Sequence, residues 1–127
     1  MDVLKLKDKN IVVMGVANER SIAWGIAKKL LEVGANVIFT YRKDRSKAKL
    51  ERILENYQDY NTDVVQCDVN SDESIATAFQ QIGEKYGVIH GLVHSVAFAH
   101  AEDLKNRFVE TSREGYAFAQ DTSSYSL

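Results

Sequence analysis

The sequence predicts an α/β domain: a parallel sheet with helices on both faces. Three observations predict it. Short apolar runs alternate with longer segments whose apolar residues recur at helical spacing. The first run ends on a glycine, Gly15, and a serine, Ser21, opens the helical segment that follows it. The chain has 127 residues, 45% of them hydrophobic, which suits one globular domain with its own core. A single domain over residues 1–127 is therefore expected.

Asn10-Ile-Val-Val-Met14 is an apolar run of the kind buried on both faces, as in a central parallel strand. Ser21 to Val33 follows with Ile22, Ala23, Ile26, Ala27, Leu30 and Leu31 on one helical face, and Gly34 ends it. Asn36 to Tyr41 is a second strand. Asp44 to about Tyr57 is a polar helix with Leu50, Ile53 and Leu54 inward. Asp63 to Cys67 is a third strand. Ser71 caps the next helix, whose stripe is Ile75, Ala78, Phe79 and Ile82, and Gly87 closes it. Gly91 to Ser95 is a fourth strand. Thr111-Ser-Arg-Glu114 has the spacing of a capping box, so a further helix starts there.

Strand–helix alternation of this length means βαβ units, and the handed crossover gives a Rossmann-like order of 3-2-1-4. Such a sheet is open beside the fourth strand and leaves Leu92 and Val93 on an apolar edge, which suggests that the natural protein continues past Leu127.

Composition excludes several classes. A net charge of -2 argues against non-specific nucleic-acid binding. The charged N-terminus lacks a signal-peptide core, and no segment reaches the ~18 apolar residues of a membrane span. Cys67 is the only cysteine, which fits a reducing cytoplasm and forbids an internal disulfide.

The loop Gly15 to Gly25 lies between a strand and a helix, the setting of a phosphate-binding turn. Gly15 lets the chain turn and approach a ligand. Ser21 can cap the helix and offer a hydroxyl to phosphate, and the amides of the helix start favour an anion. Gly25 would let the helix pack tightly on the strands. The spacing is not G-x-G-x-x-G, and alone the loop also suits any ordinary βα turn.

The second strand runs into Tyr41-Arg42-Lys43-Asp44-Arg45-Ser46-Lys47. Dinucleotide folds that take NAD place a carboxylate at this tip for the ribose. Here two cations stand instead. Arg42 and Lys43 suit a 2′-phosphate, with Ser46 adding a hydroxyl donor. Lys47, Lys49 and Arg52 read better as a solvated helix face. Asp68 and Val69 follow the third strand, where an adenine would lie: Asp68 can accept from its amino group, or serve only as a turn residue, and Val69 can pack on the ring. Ser95-Val-Ala-Phe-Ala99 is small and apolar, suited to flank a nicotinamide ribose.

Five segments occur in order: Gly15-x5-Ser21-Ile-Ala-x-Gly25, Thr40-Tyr-Arg-Lys43, Cys67-Asp-Val69, His94-Ser-Val-Ala-Phe-Ala99 and Thr111-Ser-Arg-Glu-Gly115. Together they resemble the enoyl-acyl-carrier-protein reductases of bacterial type II fatty-acid synthesis, a divergent branch of the short-chain dehydrogenase/reductases. The NADPH-preferring forms of Gram-positive bacteria are the most similar. The resemblance covers the whole chain and corresponds to about the N-terminal half of the family's length. Ordinary short-chain dehydrogenases show a TGxxxGxG loop and an Asn-Asn-Ala-Gly segment instead.

The resemblance implies that Gly15, Ser21, Ile22, Arg42, Lys43, Ser46, Asp68, Val69 and Val96 contact NADPH and that Ala99 lines the acyl pocket. It implies hydride transfer to C3 of a trans-2-enoyl thioester on acyl carrier protein, in a cytoplasmic homotetramer, with the Thr111 helix resembling an interface helix. The family's tyrosine and lysine occur as Tyr-x6-Lys, and none of the six tyrosines here has a lysine at that spacing. No catalytic residue is therefore assigned, and the chain is expected to stop before that segment. The alternatives are a non-catalytic dinucleotide-binding fragment and a carbonyl-reducing short-chain dehydrogenase. His90, His94 and His100 lack a plausible ligand set for a metal, and Cys67 has no adjacent base to make it a nucleophile.

Overall fold

The structure, a computed structural model, describes residues 3–127. β1 (Asn10–Met14), α1 (Ile22–Glu32), β2 (Asn36–Tyr41), α2 (Asp44–Leu54), β3 (Thr62–Gln66), α3 (Asp72–Tyr86) and β4 (Gly91–His94) alternate along the chain. The strands form one parallel sheet in the order β3-β2-β1-β4, as the sequence predicts. Beyond them come α4 (Ala101–Lys105) and α5 (Arg113–Gln120), which runs on into a π-helical stretch, Asp121–Tyr125. The chain divides into two compact units, one running to Ser95 and one spanning Val96–Leu127.

β1 is buried throughout, and β2 is buried between its two end residues, because both sheet faces are covered. Ile11, Val13, Val37 and Phe39 alternate onto one face with Ala23, Trp24, Ala27 and Leu31 of α1 and Leu50 and Ile53 of α2. Val12 and Ile38 turn to the other face and are 0% exposed; α3, with Ala78 and Ile82 buried, runs on that side. Each of the valine, leucine, isoleucine and phenylalanine side chains among them contributes roughly 1.5–3 kcal/mol on full burial. A one-residue slip of β1 or β2 would exchange these sets between faces, so the register is strongly fixed.

Several local expectations are corrected. Trp24, not Ile22 or Ile26, completes the inward stripe of α1, leaving Ile22 79% and Ile26 38% exposed. The small Ala23 and Ala27 do the close packing expected of Gly25, which is exposed with nothing near where a Cβ would stand. Val93 packs against the core, whereas Leu92 is exposed as expected. Cys67 lies past β3 and Ser95 past β4. The capping box does not form at Thr111: Ser112 is the cap, its Oγ accepting from the Gly115 amide at 2.9 Å. The Ser71 cap forms as read, accepting from the Ser74 amide.

The amino-terminal edge of the sheet is tied by Asn10, a buried polar residue. Its Nδ2 donates to the carbonyls of Val88 (2.9 Å) and Tyr86 (3.3 Å), and its Oδ1 accepts from Asn36 Nδ2 (2.9 Å). Its amide donates to His90 Nδ1 at 2.9 Å, while its carbonyl accepts from the His90 amide at 2.8 Å. A second tie links β3 to α3: Lys85 Nζ (2.8 Å) and Tyr86 OH (2.7 Å) both donate to Asp63 Oδ2.

Candidate dinucleotide-binding site

Parallel strands gather their carboxyl ends along one edge. The register sets Met14 level with Thr40 and His94, and Tyr41 level with Gln66. Gly15, Arg42, Asp68 and Ser95 therefore leave the sheet on the same edge. The strand order reverses at β1, with β2 and β3 to one side and β4 to the other. Open α/β sheets take their ligands outside the carboxyl ends at such a reversal.

Gly15 has φ +102°, and a Cβ there would fall inside the Ser95 carbonyl group. Only glycine allows the chain leaving β1 to turn this way while running so close to the chain leaving β4. The loop beyond it is internally bonded. Ser21 Oγ accepts from the amides of Ala17 (3.0 Å) and Asn18 (3.1 Å), and Asn18 Oδ1 accepts from the Arg20 amide at 2.7 Å.

This corrects the role expected of Ser21. It occupies the N-cap position of α1, but its side chain makes no cap bond. Its hydroxyl folds the loop, and a hydroxyl that accepts two amides keeps its own hydrogen to donate. The loop amides of Ala17, Asn18 and Arg20 are thus spent within the loop. The donors that suit an anion are those of the uncapped first turn of α1. Ile22 stands at that turn with its side chain in the open.

At the tip of β2, Arg42 and Lys43 are both exposed. Lys43 is the N-cap residue of α2 and supplies no side-chain cap, and Ser46 lies partly buried in the first turn. Arg42 is held from two sides. Its carbonyl accepts from Gln66 Nε2 at 3.2 Å, and its Nε lies 3.4 Å from Asp68 Oδ1. Lys47 instead turns back along α2, with Nζ 5.6 Å from the centre of the Tyr41 ring and 3.9 Å from Glu51.

Asp68 sits in a tight turn. Its amide donates to Ser74 Oγ at 2.8 Å, and its Oδ1 accepts from the Asn70 amide at 3.0 Å. Val69 beside it is buried, so the surface it can offer an adenine ring is small. Burial pushes the Cys67 thiol up from its ordinary value and the neighbouring Asp68 charge adds to this, so the thiol stays protonated. Among the described residues no group of three or more His, Cys, Asp or Glu could hold a metal.

The structure thus brings Gly15, Ser21 and Ile22 together at the end of β1, and Arg42, Lys43, Ser46, Asp68 and Val69 together at the tips of β2 and β3. Val96 and Ala99 belong to the second unit, in the extended segment ahead of α4, and both are partly buried. Within that unit Phe98 packs edge-on against Phe118, and its amide donates to Ser123 Oγ at 3.1 Å. The sequence reading missed the supporting residues Asn18, Gln66 and Ser74. An Asn three residues before the helix-opening serine is a turn signal that could have revealed the first. Nothing local marks Gln66, because its partner Arg42 lies on another strand end, while Ser74 reaches back to the Asp68 amide just ahead of its own helix.

No helix among the described residues is long and apolar enough to cross a membrane. Residues 15–127 match the family model described as enoyl-(acyl carrier protein) reductase. The chain is 53% identical over 125 residues to the enoyl-[acyl-carrier-protein] reductase [NADPH] FabI of Staphylococcus aureus, covering 98% of this chain and 49% of that protein. It is 50% identical over 122 residues to the [NADH] FabI of Enterococcus faecalis, covering 96% and 47%. Among solved structures it resembles the Bacillus cereus enoyl-acyl carrier protein reductase with NADP+ and indole naphthyridinone, with TM-score 0.90 and 45% identity over 95% of this chain and 47% of that one. It also resembles the Anaplasma phagocytophilum reductase in complex with NAD, with TM-score 0.89 and 36% identity over 95% and 45%. The chain spans about half the length of these relatives. The shared fold and a sequence match along nearly the whole chain have one meaning: this chain belongs to the enoyl-(acyl carrier protein) reductase family.

Proposed function

We propose that this chain is the NADPH-binding part of a reductase that saturates trans-2-enoyl thioesters carried on acyl carrier protein. The observation that carries the cofactor choice is the tip of β2, where Arg42 and Lys43 are exposed and no carboxylate precedes them. A carboxylate there would repel a 2′-phosphate, whereas a guanidinium and an ammonium bind it.

The residues present fit a dinucleotide. Gly15 lets the chain turn sharply at the end of β1, where a side chain would run into the Ser95 carbonyl. Ser21 and the first turn of α1 hold the pyrophosphate, with Ile22 beside it. Arg42, Lys43 and Ser46 hold the 2′-phosphate, Asp68 accepts from the adenine amino group, and Val69 borders the ring. Val96 at the nicotinamide ribose and Ala99 at the acyl chain rest on the family resemblance alone. Bound NADPH supplies the hydride for C3 of the enoyl thioester. This chain's part is to bind and orient the cofactor. The family resemblance further implies a cytoplasmic homotetramer.

Arg42→Glu tests the reading. Each hydrogen bond to a charged group contributes roughly 1.5–3 kcal/mol, so NADPH affinity should fall ten-fold or more while NADH affinity falls little. Unchanged NADPH binding in a titration would refute the assignment. NADPH oxidation with a crotonyl thioester and with a ketone, in the chain and in a version extended past Leu127, separates the reactions. Turnover of ketones alone would replace enoyl reduction by carbonyl reduction, and binding without turnover in either version would leave a non-catalytic binding module.

A further inference from the structure

The cofactor reading gives Arg42 to the 2′-phosphate and Asp68 to the adenine, as separate contacts. The structure joins them. Arg42 Nε lies 3.4 Å from Asp68 Oδ1, and that same oxygen accepts from the Asn70 amide at 3.0 Å. Of the Asp68 carboxylate, Oδ2 is left to face an adenine amino group. Of the Arg42 guanidinium, the two terminal nitrogens are left to face a phosphate.

We propose that Asp68 is a specificity-determining residue, a counter-charge on Arg42 that limits the preference for a 2′-phosphorylated cofactor. This rests on the adenosine site described above. With the pair formed, the guanidinium and the carboxylate cancel, and Lys43 carries the net positive charge that meets the phosphate. The side chains are 53% and 33% exposed, so the pair is a weak restraint on the orientation of Arg42. The negative charge of Asp68, in contrast, competes with the phosphate for the Arg42 guanidinium at whatever angle Arg42 adopts. Two charges a few ångströms apart near a surface still interact within the Debye length of about 8 Å. The electrostatic effect therefore outweighs the orienting one. Removing the charge should sharpen NADPH selectivity, although it also removes a contact to adenine.

The full chain can be titrated with adenosine 2′,5′-bisphosphate and with AMP, which differ only at the 2′-phosphate. Asp68→Asn keeps an acceptor for the Asn70 amide and loses the charge. The lost adenine contact weakens both nucleotides alike and cancels in their affinity ratio. The expected result is a rise of about three-fold or more in the preference for the bisphosphate, shrinking as salt is raised. The same step made in an Arg42→Gln background should give a smaller rise. A thermal melt close to wild type establishes that Asp68→Asn is folded. A ratio that stays constant or falls overturns the proposal, and so does an equal rise with and without Arg42. Failure of the unaltered chain to favour the bisphosphate would overturn the cofactor reading itself, an outcome visible before any variant is made.

Discussion

Two glycines separated by ten positions should respond oppositely to the same added methyl group. At Gly15 the backbone is at φ +102°, and the new Cβ would fall within the Ser95 carbonyl. A side chain in so sparsely populated a conformation costs roughly 1–3 kcal/mol. Displacing Ser95 also breaks its amide bond to the Met14 carbonyl, now 3.2 Å, which is worth about 1 kcal/mol. Gly15→Ala should therefore destabilise the chain by about 2–4 kcal/mol, a large part of the roughly 5–15 kcal/mol that holds an ordinary domain together. At Gly25 the backbone has no positive φ, and an added Cβ meets nothing within 4 Å. Replacing a helical glycine by alanine there gains about 0.5–1 kcal/mol. With each kcal/mol moving the midpoint by about 4 °C in a chain of this size, thermal melts followed by circular dichroism should show Gly15→Ala down by about 8–16 °C. Gly25→Ala should rise by about 2–4 °C. The reasoning is refuted if Gly15→Ala melts within about 2 °C of wild type, or if Gly25→Ala falls as far as Gly15→Ala.

Burial alone would raise the Asp63 carboxyl, but hydrogen bonds from Lys85, Tyr86 and the Val64 amide outweigh it and hold the group below its ordinary value. Its stabilising share is therefore complete above the usual carboxylate range and is lost as pH falls through the depressed value, so the melting gap between wild type and Asp63→Asn should close on acidification; a constant gap would count against it. Gly115→Ala drives a methyl group into the Asp103 carboxylate, so amide exchange across 113–120 should accelerate, and a second change, Asp103→Ala, should restore much of the protection. If the single variant exchanges like wild type, the Asp103 carboxylate does not close off the space beside Gly115.

The sheet was legible in the sequence because its strands are nearly uniform. Asn10–Met14 and Asn36–Tyr41 are buried on both faces, so their runs are continuous and end at residues the backbone needs, Gly15 among them. The face of α1 was less legible. Ile22, Ile26 and Leu30 form one apolar row and Ala23, Ala27 and Leu31 the next, and periodicity alone does not say which row points inward. The sheet selects the alanine row because Ala23 and Ala27 allow close approach and Trp24 fills the space toward Phe39 and Tyr57. For the site, the positions of Gly15, Arg42 and Asp68 followed from strand ends. Their pairing did not, since Arg42 meets Asp68 only after two parallel strands are laid side by side. Ser21 shows a further limit: a serine before a helix signals a cap, yet its hydroxyl is drawn to nearer amides in its own loop.

The knot of bonds around Asn10 lies at the opposite edge of the sheet from Gly15, Arg42 and Asp68. The ties between strands are thus concentrated at one end of the sheet, and the proposed nucleotide site lies at the other. Substitutions at the proposed nucleotide site should leave that anchorage untouched. Such a division of labour lets closely similar scaffolds diverge in the coenzyme they accept without first having to be rebuilt.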